Sequence, residues 1–108
     1  MPRLARHEDE SFAERLVRHT LQELHVEAVA EFGLGPFIFD FAIPRLRLLL
    51  EINSRRWHAR PRRQKRDRAK AKAAQASHWE LVALPVDARL QVKVVQAVAQ
   101  RRSLLGMA

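Results

Sequence analysis

The sequence predicts a single α/β domain in which helices flank a mixed central sheet of about four strands. Three observations support this class. Apolar residues recur at helical spacing near both ends of the chain, strand-like segments lie between them, and a basic, alanine-rich stretch without glycine or proline precedes the last strand. The 108 residues match one domain of common size, so 1–108 is assigned to one unit with 1–10 frayed.

The N-terminal half begins with a helix. Ser11 and Glu14, in the sequence SFAE, have the spacing of a capping box, and the apolar residues that follow keep one helical face over 11–25. Alternation in the segment HVEAVAEF, 25–32, favours a strand. Residues 33–36, which include two glycines and a proline, then break the chain.

The clearest hairpin joins strands over 37–43 and 46–53 through a turn centred on Pro44 and Arg45. Because side chains alternate along a strand, the phenylalanines of the first strand share one face, which is predicted to be the core side. These residues are Phe37, Phe39 and Phe41.

The C-terminal half continues with helix, strand and helix. Residues 62–77 combine alanine with basic residues and favour a helix. WELVAL, 79–84, favours a strand that Pro85 ends. Asp87 is then predicted to cap a last helix. The apolar side of that helix carries Leu90, Val94, Val95 and Val98.

Two acids, Asp40 and Glu51, lie inside the apolar hairpin strands, where a carboxylate without a partner costs several kcal/mol. The predicted register places Asp40 across from Leu49, with Glu51 diagonally beside it on the same face and the carboxylates within about 5 Å. Such a pair suits a hard divalent cation, and Mg²⁺, for which Mn²⁺ is a substitute, can polarise a phosphodiester and activate water. The alternative is structural, with either acid paired to Arg45, Arg47 or an arginine of the basic segment.

Basic charge is concentrated between Arg55 and Lys72, which hold ten of the chain's 20 Lys and Arg residues and one acid, Asp67. A field of this strength suits a polyanion, most simply nucleic acid, although a solvated helix face or a basic tail has the same composition. The acid pair and the basic segment together indicate phosphodiester hydrolysis, which neither indicates alone. The predicted phosphate-contacting residues are Arg55, Arg56, Arg60, Arg62, Arg63, Lys65 and Lys70.

Composition also excludes several classes. The sequence has no cysteine, which rules out disulfides and thiolate metal sites, so zinc is not expected. No apolar run approaches the roughly 20 residues that span a bilayer, and the N-terminus lacks a signal-peptide segment. A soluble, cytoplasmic protein with no membrane partner is therefore expected. A homodimer is compatible with the sequence, but nothing in it argues for one.

The run FDFAIPRLRLLLEINSRRWH, 39–58, followed by a basic stretch and WELVAL, resembles the small Vsr-like endonuclease domains of the PD-(D/E)XK, or restriction-endonuclease-like, superfamily. The likeness covers about 11–98. It implies a restriction-endonuclease-like core, with a mixed sheet of about four strands flanked by helices, and metal-dependent cleavage of DNA. The order and spacing of the whole set of matched residues make the likeness specific, which no single pair does.

The resemblance assigns roles to particular residues. Metal ligation is expected from Asp40, Glu51 and Asn53, and assistance in proton transfer from His58. Matched residue by residue, the family's site falls on Glu14, Asp40, Glu51 with Asn53, Trp57 with His58, and Asp67 with Lys70.

Three of these residues also have simpler interpretations. Glu14 is equally explained as a capping-box partner, and His58 as a surface histidine. Asp67 is nearly as well explained by ion pairing with Lys70 or Arg63.

Three departures from the family's pattern bear on activity. Asn53 stands where the family often has Asp and the wider superfamily has Lys, and an amide can ligate through oxygen but cannot act as a base. Ser54 replaces the usual glycine. The cysteines of the structural zinc site in mismatch-repair Vsr enzymes are missing. Besides a nuclease, the sequence therefore leaves open a DNA-binding module of the same fold that has lost cleavage. It also leaves open a basic RNA-binding or assembly protein whose acids form salt bridges.

Overall fold

The computed structural model describes residues 10–53 and 61–107, without the side chains of 61–64. The order of elements matches the prediction, and the fold is α/β with a mixed four-stranded sheet. The elements are helix α1 (Phe12–Glu23), strands β1 (Val29–Leu34) and β2 (Phe37–Ile43), a 3-10 turn (Pro44–Leu46), strand β3 (Leu48–Asn53), helix α2 (Pro61–Ala76), strand β4 (Glu80–Pro85) and helix α3 (Leu90–Leu104).

The sheet order is β1-β2-β3-β4. The β1–β2 and β2–β3 pairs are antiparallel, whereas β4 runs parallel to β3 and is reached through α2. Helices cover both faces. On one face, α1 and α3 bury Leu21 and Val94 against the sheet residues Phe41 and Leu50. On the other, Ala74 of α2 packs with apolar residues of β2 and β3. Described residues include no helix long and apolar enough to cross a membrane.

The predicted capping box is confirmed at the start of α1. The Glu14 amide donates to the Ser11 hydroxyl (3.1 Å), and the Ser11 amide donates to a Glu14 carboxylate oxygen (3.4 Å). These two bonds satisfy amides that would lack partners at the end of an uncapped helix. Glu14 is thereby held at the N-terminus of the helix.

The hairpin turn is longer than predicted. It comprises a 3-10 turn followed by Arg47 in the left-handed region (φ 52°), so β3 begins at Leu48 rather than at residue 46. Ala42 pairs with Leu49, and continuing this register places Asp40 directly opposite Glu51 instead of opposite Leu49. The register differs from the prediction by two residues. Because two residues are one full period of a strand, this shift alone does not separate Asp40 and Glu51 onto different faces.

The prediction that three phenylalanines share a face was wrong. Phe39 packs in the cluster covered by α2, with Phe37 beside it, whereas Phe41 packs against α1 and α3. The alternation changes at Asp40, beside Glu31 of β1, whose backbone lies in the left-handed region (φ 51°). A residue outside the extended region rotates its own strand, here β1, and the change of face in β2 occurs at the position opposite it.

Two details of α3 also differ from the prediction. Asp87 is not the N-cap, because α3 starts at Leu90 and its cap residue is Arg89. Asp87 instead accepts a bond from the Arg89 amide (2.8 Å) and pairs with Lys93 at 3.2 Å, one turn into the helix. Val95, predicted on the apolar side, is 41% exposed.

Candidate active site

The two acids meet where β2 and β3 part. The regular pairing of these strands extends only from Ile43 to Phe41 on the β2 side. Beyond it, side chains replace the backbone ladder: the Asp40 amide donates to Glu51 Oε1 (3.0 Å), and the Ile52 amide donates to Asp40 Oδ2 (2.7 Å). Each acid therefore satisfies an amide of the other strand, and the two carboxyl groups are fixed side by side.

Lys70 of α2 completes this group. Its ammonium forms an ion pair with Glu51 Oε2 and donates to the Ile38 carbonyl (2.8 Å). It also lies 4.7 Å from the centre of the Phe39 ring. Lys70 and Glu51 are each only 8% exposed, so the pair is shielded from water and from salt. A basic side chain of α2 thus contacts both strands across the gap between them.

Asp40 has a strongly perturbed acidity. Burial, which disfavours the charged form, raises the pKa of the Asp40 carboxyl from 3.8 to about 7. That value of about 7 for the pKa already includes smaller rises from the charge of Glu51, from a hydrogen bond to its carboxyl group and from the charge of Glu14, and an opposing effect of the bond from the Ile52 amide. The site thus gathers more negative charge than its hydrogen bonds neutralise, which is a frequent property of functional sites.

A pocket of about 260 Å³ opens beside Glu51. Asn53 lines it together with Glu51, as predicted from the period of β3, and α2 contributes Asp67 and Lys70. The floor is made by β4, through Leu81 and Ala83. Oxygen-bearing side chains, an ammonium group and an apolar floor therefore line one cavity at the end of the sheet from which β2 and β3 part.

The donor set fits a hard divalent cation. It offers carboxylate oxygens from Asp40 and Glu51 and an amide oxygen from Asn53, and such oxygens are the ligands that magnesium prefers. The raised pKa of Asp40 marks a place where a cation would relieve repulsion between the acids. Among the described residues, no group of three or more His, Asp or Glu side chains is arranged to hold a metal. A cation here would therefore need Asn53, water or substrate oxygens to complete its coordination.

The other predicted residues are placed as follows. Glu14 lies near enough for its charge to act on Asp40, besides its role in the capping box. Lys65 is exposed on α2. Lys70, predicted as a phosphate contact and also matched by the resemblance to the family's site, is buried beside the acids. Arg55, Arg56, His58 and Arg60 lie outside the described residues, as do the side chains of Arg62 and Arg63.

The contact between Lys70 and Glu51 was not predicted. An arginine was expected as the structural partner of the acids, whereas Glu51 pairs with a lysine 19 residues away. One signal was present: Lys70 lies four residues before Ala74, on the helical stripe that faces the sheet. A basic residue on a buried stripe requires an acid or carbonyl partner inside the fold.

No protein-family model and no curated protein matches the sequence. Among solved structures, the chain is similar to the catalytic domain of the homing endonuclease I-Bth0305I. The TM-score is 0.60 at 12% sequence identity, over 89% of this chain and 92% of that domain. At this identity the likeness concerns the fold, and it extends over nearly the whole of both chains. The chain therefore has the fold of an endonuclease catalytic domain.

Proposed function

We propose that this protein is a magnesium-dependent endonuclease that hydrolyses phosphodiester bonds in DNA. The main support is the Asp40–Glu51 pair, which lies where the backbone pairing of β2 and β3 ends. Lys70 is bonded to one carboxylate of this pair. Membership of the Vsr-like group of the PD-(D/E)XK superfamily is part of the same proposal. The endonuclease-like fold and the concentrated basic charge support it.

Asp40 and Glu51 would hold the metal, and hydrogen bonds fix both carboxyl groups. Backbone amides fix Asp40 and Glu51, so neither carboxylate needs to reorganise as charge develops on the substrate. Asn53, which lines a cavity together with Glu51, supplies a neutral oxygen. When bound, magnesium would polarise the phosphodiester and lower the pKa of an attacking water.

Lys70 orients Glu51 and adds a positive charge next to the reacting phosphate. An ammonium has three N–H donors, and two are used by Glu51 and the Ile38 carbonyl. The third is available for a phosphate oxygen or a water molecule. His58, which follows β3 in sequence, is proposed to assist proton transfer, and Asp67 to orient water in the pocket.

The basic segment holds the polyanion. Lys65 and the arginines around the start of α2 are proposed to contact phosphates, which release counterions when neutralised. Binding should therefore weaken steeply with salt and depend little on base sequence. Phosphate contacts position a duplex but do not read it.

A plasmid-nicking assay tests the proposal. Wild-type protein should convert supercoiled plasmid to the open-circular form with Mg²⁺ or Mn²⁺ and lose this activity in EDTA. Asp40→Asn should slow nicking by about 10³-fold or more, because several kcal/mol of charge stabilisation depends on the metal. Asp87→Asn is the matched control, since it removes an exposed acid bonded at the start of α3 and should leave the rate unchanged.

Two outcomes would favour the other functions. Metal and DNA binding without turnover would identify a binding module that has lost cleavage, which Asn53 favours because an amide cannot act as a base. Absence of metal binding, with RNA bound as tightly as DNA, would favour a basic RNA-binding or assembly protein. In that case the Glu51–Lys70 ion pair is a structural contact only.

A further inference from the structure

Two cations of α2, one helical turn apart, lie over the rings of alternate phenylalanines of β2. The Lys70 ammonium lies 4.7 Å from the centre of the Phe39 ring, and the Arg66 guanidinium carbon lies 5.9 Å from the centre of the Phe37 ring. Four helical residues rise about 6 Å and two strand residues about 7 Å. The spacing of the two cations along α2 therefore matches the spacing of the two rings along β2. The Arg66 contact lies further from the hairpin turn than the Lys70 contact.

The two cations differ in exposure. The Lys70 side chain is buried and its ammonium is bonded to Glu51 and to the Ile38 carbonyl. Arg66 is exposed, and among the described residues it has no ion pair or side-chain hydrogen bond. Stacking on a ring restricts a guanidinium but leaves its in-plane N–H groups open to an anion. Arg66 is thus held at the mouth of the site with its donors available.

The rings also limit what can bind. A nucleotide base needs an open aromatic face on which to stack. Arg66 already lies over the ring of Phe37, and Lys70 over the ring of Phe39. The group that this surface offers to nucleic acid is therefore a positioned guanidinium, whose geometry matches two oxygens of one phosphate.

We propose that Arg66 binds the DNA phosphate that neighbours the phosphate presented to Asp40 and Glu51, and that Phe37 preorganises it for this contact. The inference rests on the proposed function, because it assumes that DNA reaches the acid pair. It assigns to Arg66 a larger share of binding than its single charge would give. An arginine on the same helix without a described ring contact, Arg68, provides the comparison.

Fluorescence anisotropy with a duplex oligonucleotide in EDTA, in an Asp40→Asn background that does not cleave, tests the proposal. Arg66→Gln should weaken binding about tenfold and reduce the log–log salt slope by about 0.9, the value for one phosphate contact. Arg68→Gln, which removes the same charge from an exposed position, should weaken binding less than about threefold. Arg66→Gln should leave the melting temperature unchanged, since its side chain is exposed.

Phe37→Leu separates stacking from charge. It keeps Arg66 but removes the ring, and it should weaken binding by about threefold, in the range of an exposed cation–π contact. In the Arg66→Gln background the same change should have no further effect. Equal losses for Arg66→Gln and Arg68→Gln, or an additive effect of Phe37→Leu, would overturn the proposal. If the parent protein binds no DNA at all, the proposed function fails as well, which distinguishes the two failures.

Discussion

The two halves of the β2–β3 pair are built differently. Near the turn, Ile43 and Phe41 pair with Leu48 and Leu50 through the backbone, and all four side chains are buried. Further from the turn, the carboxylates of Asp40 and Glu51 accept hydrogen bonds from backbone amides of the opposite strand. The same two strands are thus held first by their own ladder and then by acidic side chains.

This difference shows how a small sheet can open without leaving amides unbonded. An unpaired buried amide costs about as much as a lost hydrogen bond, so two strands can part only where other groups accept their donors. A carboxylate oxygen can accept such a bond and still offer a second lone pair to a cation. The paired half stabilises the fold and the parted half supplies charge, so changes in the two halves should separate stability from activity.

The largest expected effect on stability comes from the parted half. Lys70→Met leaves Glu51 buried without its cation, and removing one partner of a buried pair typically costs about 3–5 kcal/mol. We expect such a loss in urea unfolding in EDTA. Mg²⁺ should restore part of it if the acids bind metal, because a ligand of the folded state alone stabilises that state.

Two further variants control this experiment. Lys65→Met removes an exposed lysine of the same helix and should change stability by less than about 0.5 kcal/mol. Adding Glu51→Gln to Lys70→Met removes the unpaired charge and should recover most of the loss. A destabilisation that Mg²⁺ leaves unchanged would contradict a metal site at the acid pair.

The raised pKa of Asp40 predicts a pH dependence of stability. The pKa is 3.8 for an ordinary aspartate and about 7 in the folded protein, so the folded state holds the proton more tightly than the unfolded chain. The stabilisation from this proton is complete below pH 3.8 and is lost as the pH rises to about 7. At 1.4 kcal/mol per pKa unit, the loss is at most about 4 kcal/mol, and solvent screening at this partly exposed group reduces it.

Urea unfolding in EDTA between pH 4 and pH 8 measures this term. Asp40→Asn cannot ionise, and its amide can accept from Ile52 and donate to Glu51, so its stability should fall less across this range than that of wild type. The control Asp87→Asn should follow the wild-type profile. Identical profiles for Asp40→Asn and wild type would show that Asp40 does not titrate in this range.

The convergence of the acids was predictable from the sequence because it depends on parity. Asp40 is three residues before Ile43. Glu51 is five residues after Leu46 in the predicted register and three after Leu48 in the observed one, so both separations are odd in either register. The longer turn moved the β2–β3 pairing by two residues. Asp40 and Glu51 therefore stayed on the same face of the sheet, while the residue opposite Asp40 changed. The capping box was predictable for a similar reason, since its spacing lies within one helical turn.

Other features depend on contacts or backbone angles that the sequence pattern does not encode. Nothing in the residues around Glu31 and Asp40 signals the left-handed backbone of Glu31 or the change of face between Phe39 and Phe41. Lys70 is one of ten basic residues between Arg55 and Lys72, and only the packing of α2 on the sheet selects it as the partner of Glu51.

A smaller effect is expected at Asn53, where the parted strand ends. Asn53→Asp adds a negative ligand or a base to the cavity lined by Glu51. Positioned general-base catalysis is typically worth about 10²–10⁴-fold, so a gain of at least about tenfold in nicking is expected if that group is limiting. The comparison requires saturating Mg²⁺, since the added charge also tightens metal binding. Equal rates for the two proteins would make position 53 structural.

The smallest expected effect separates the two interpretations of Glu14, which lies at the start of α1 and acts on Asp40 through its charge. Glu14→Gln removes the charge but keeps a residue that serves equally in a capping box, so stability should change by less than about 0.5 kcal/mol. Ser11→Ala does the reverse: it removes the cap, at a cost of about 1 kcal/mol, and leaves the charge.

Nicking rates then decide between these interpretations. If Glu14 contributes to the site, Glu14→Gln should slow nicking several-fold and Ser11→Ala should not, even though Ser11→Ala is the less stable variant. Rates are compared at a temperature where both variants are folded, with circular dichroism as the check. Because the charge of Glu14 also raises the pKa of Asp40, Glu14→Gln should move the pH profile of nicking to lower pH. A rate and a pH profile like those of wild type would assign Glu14 to the capping box alone, and the acidic site would then lie entirely on the parted strands and α2.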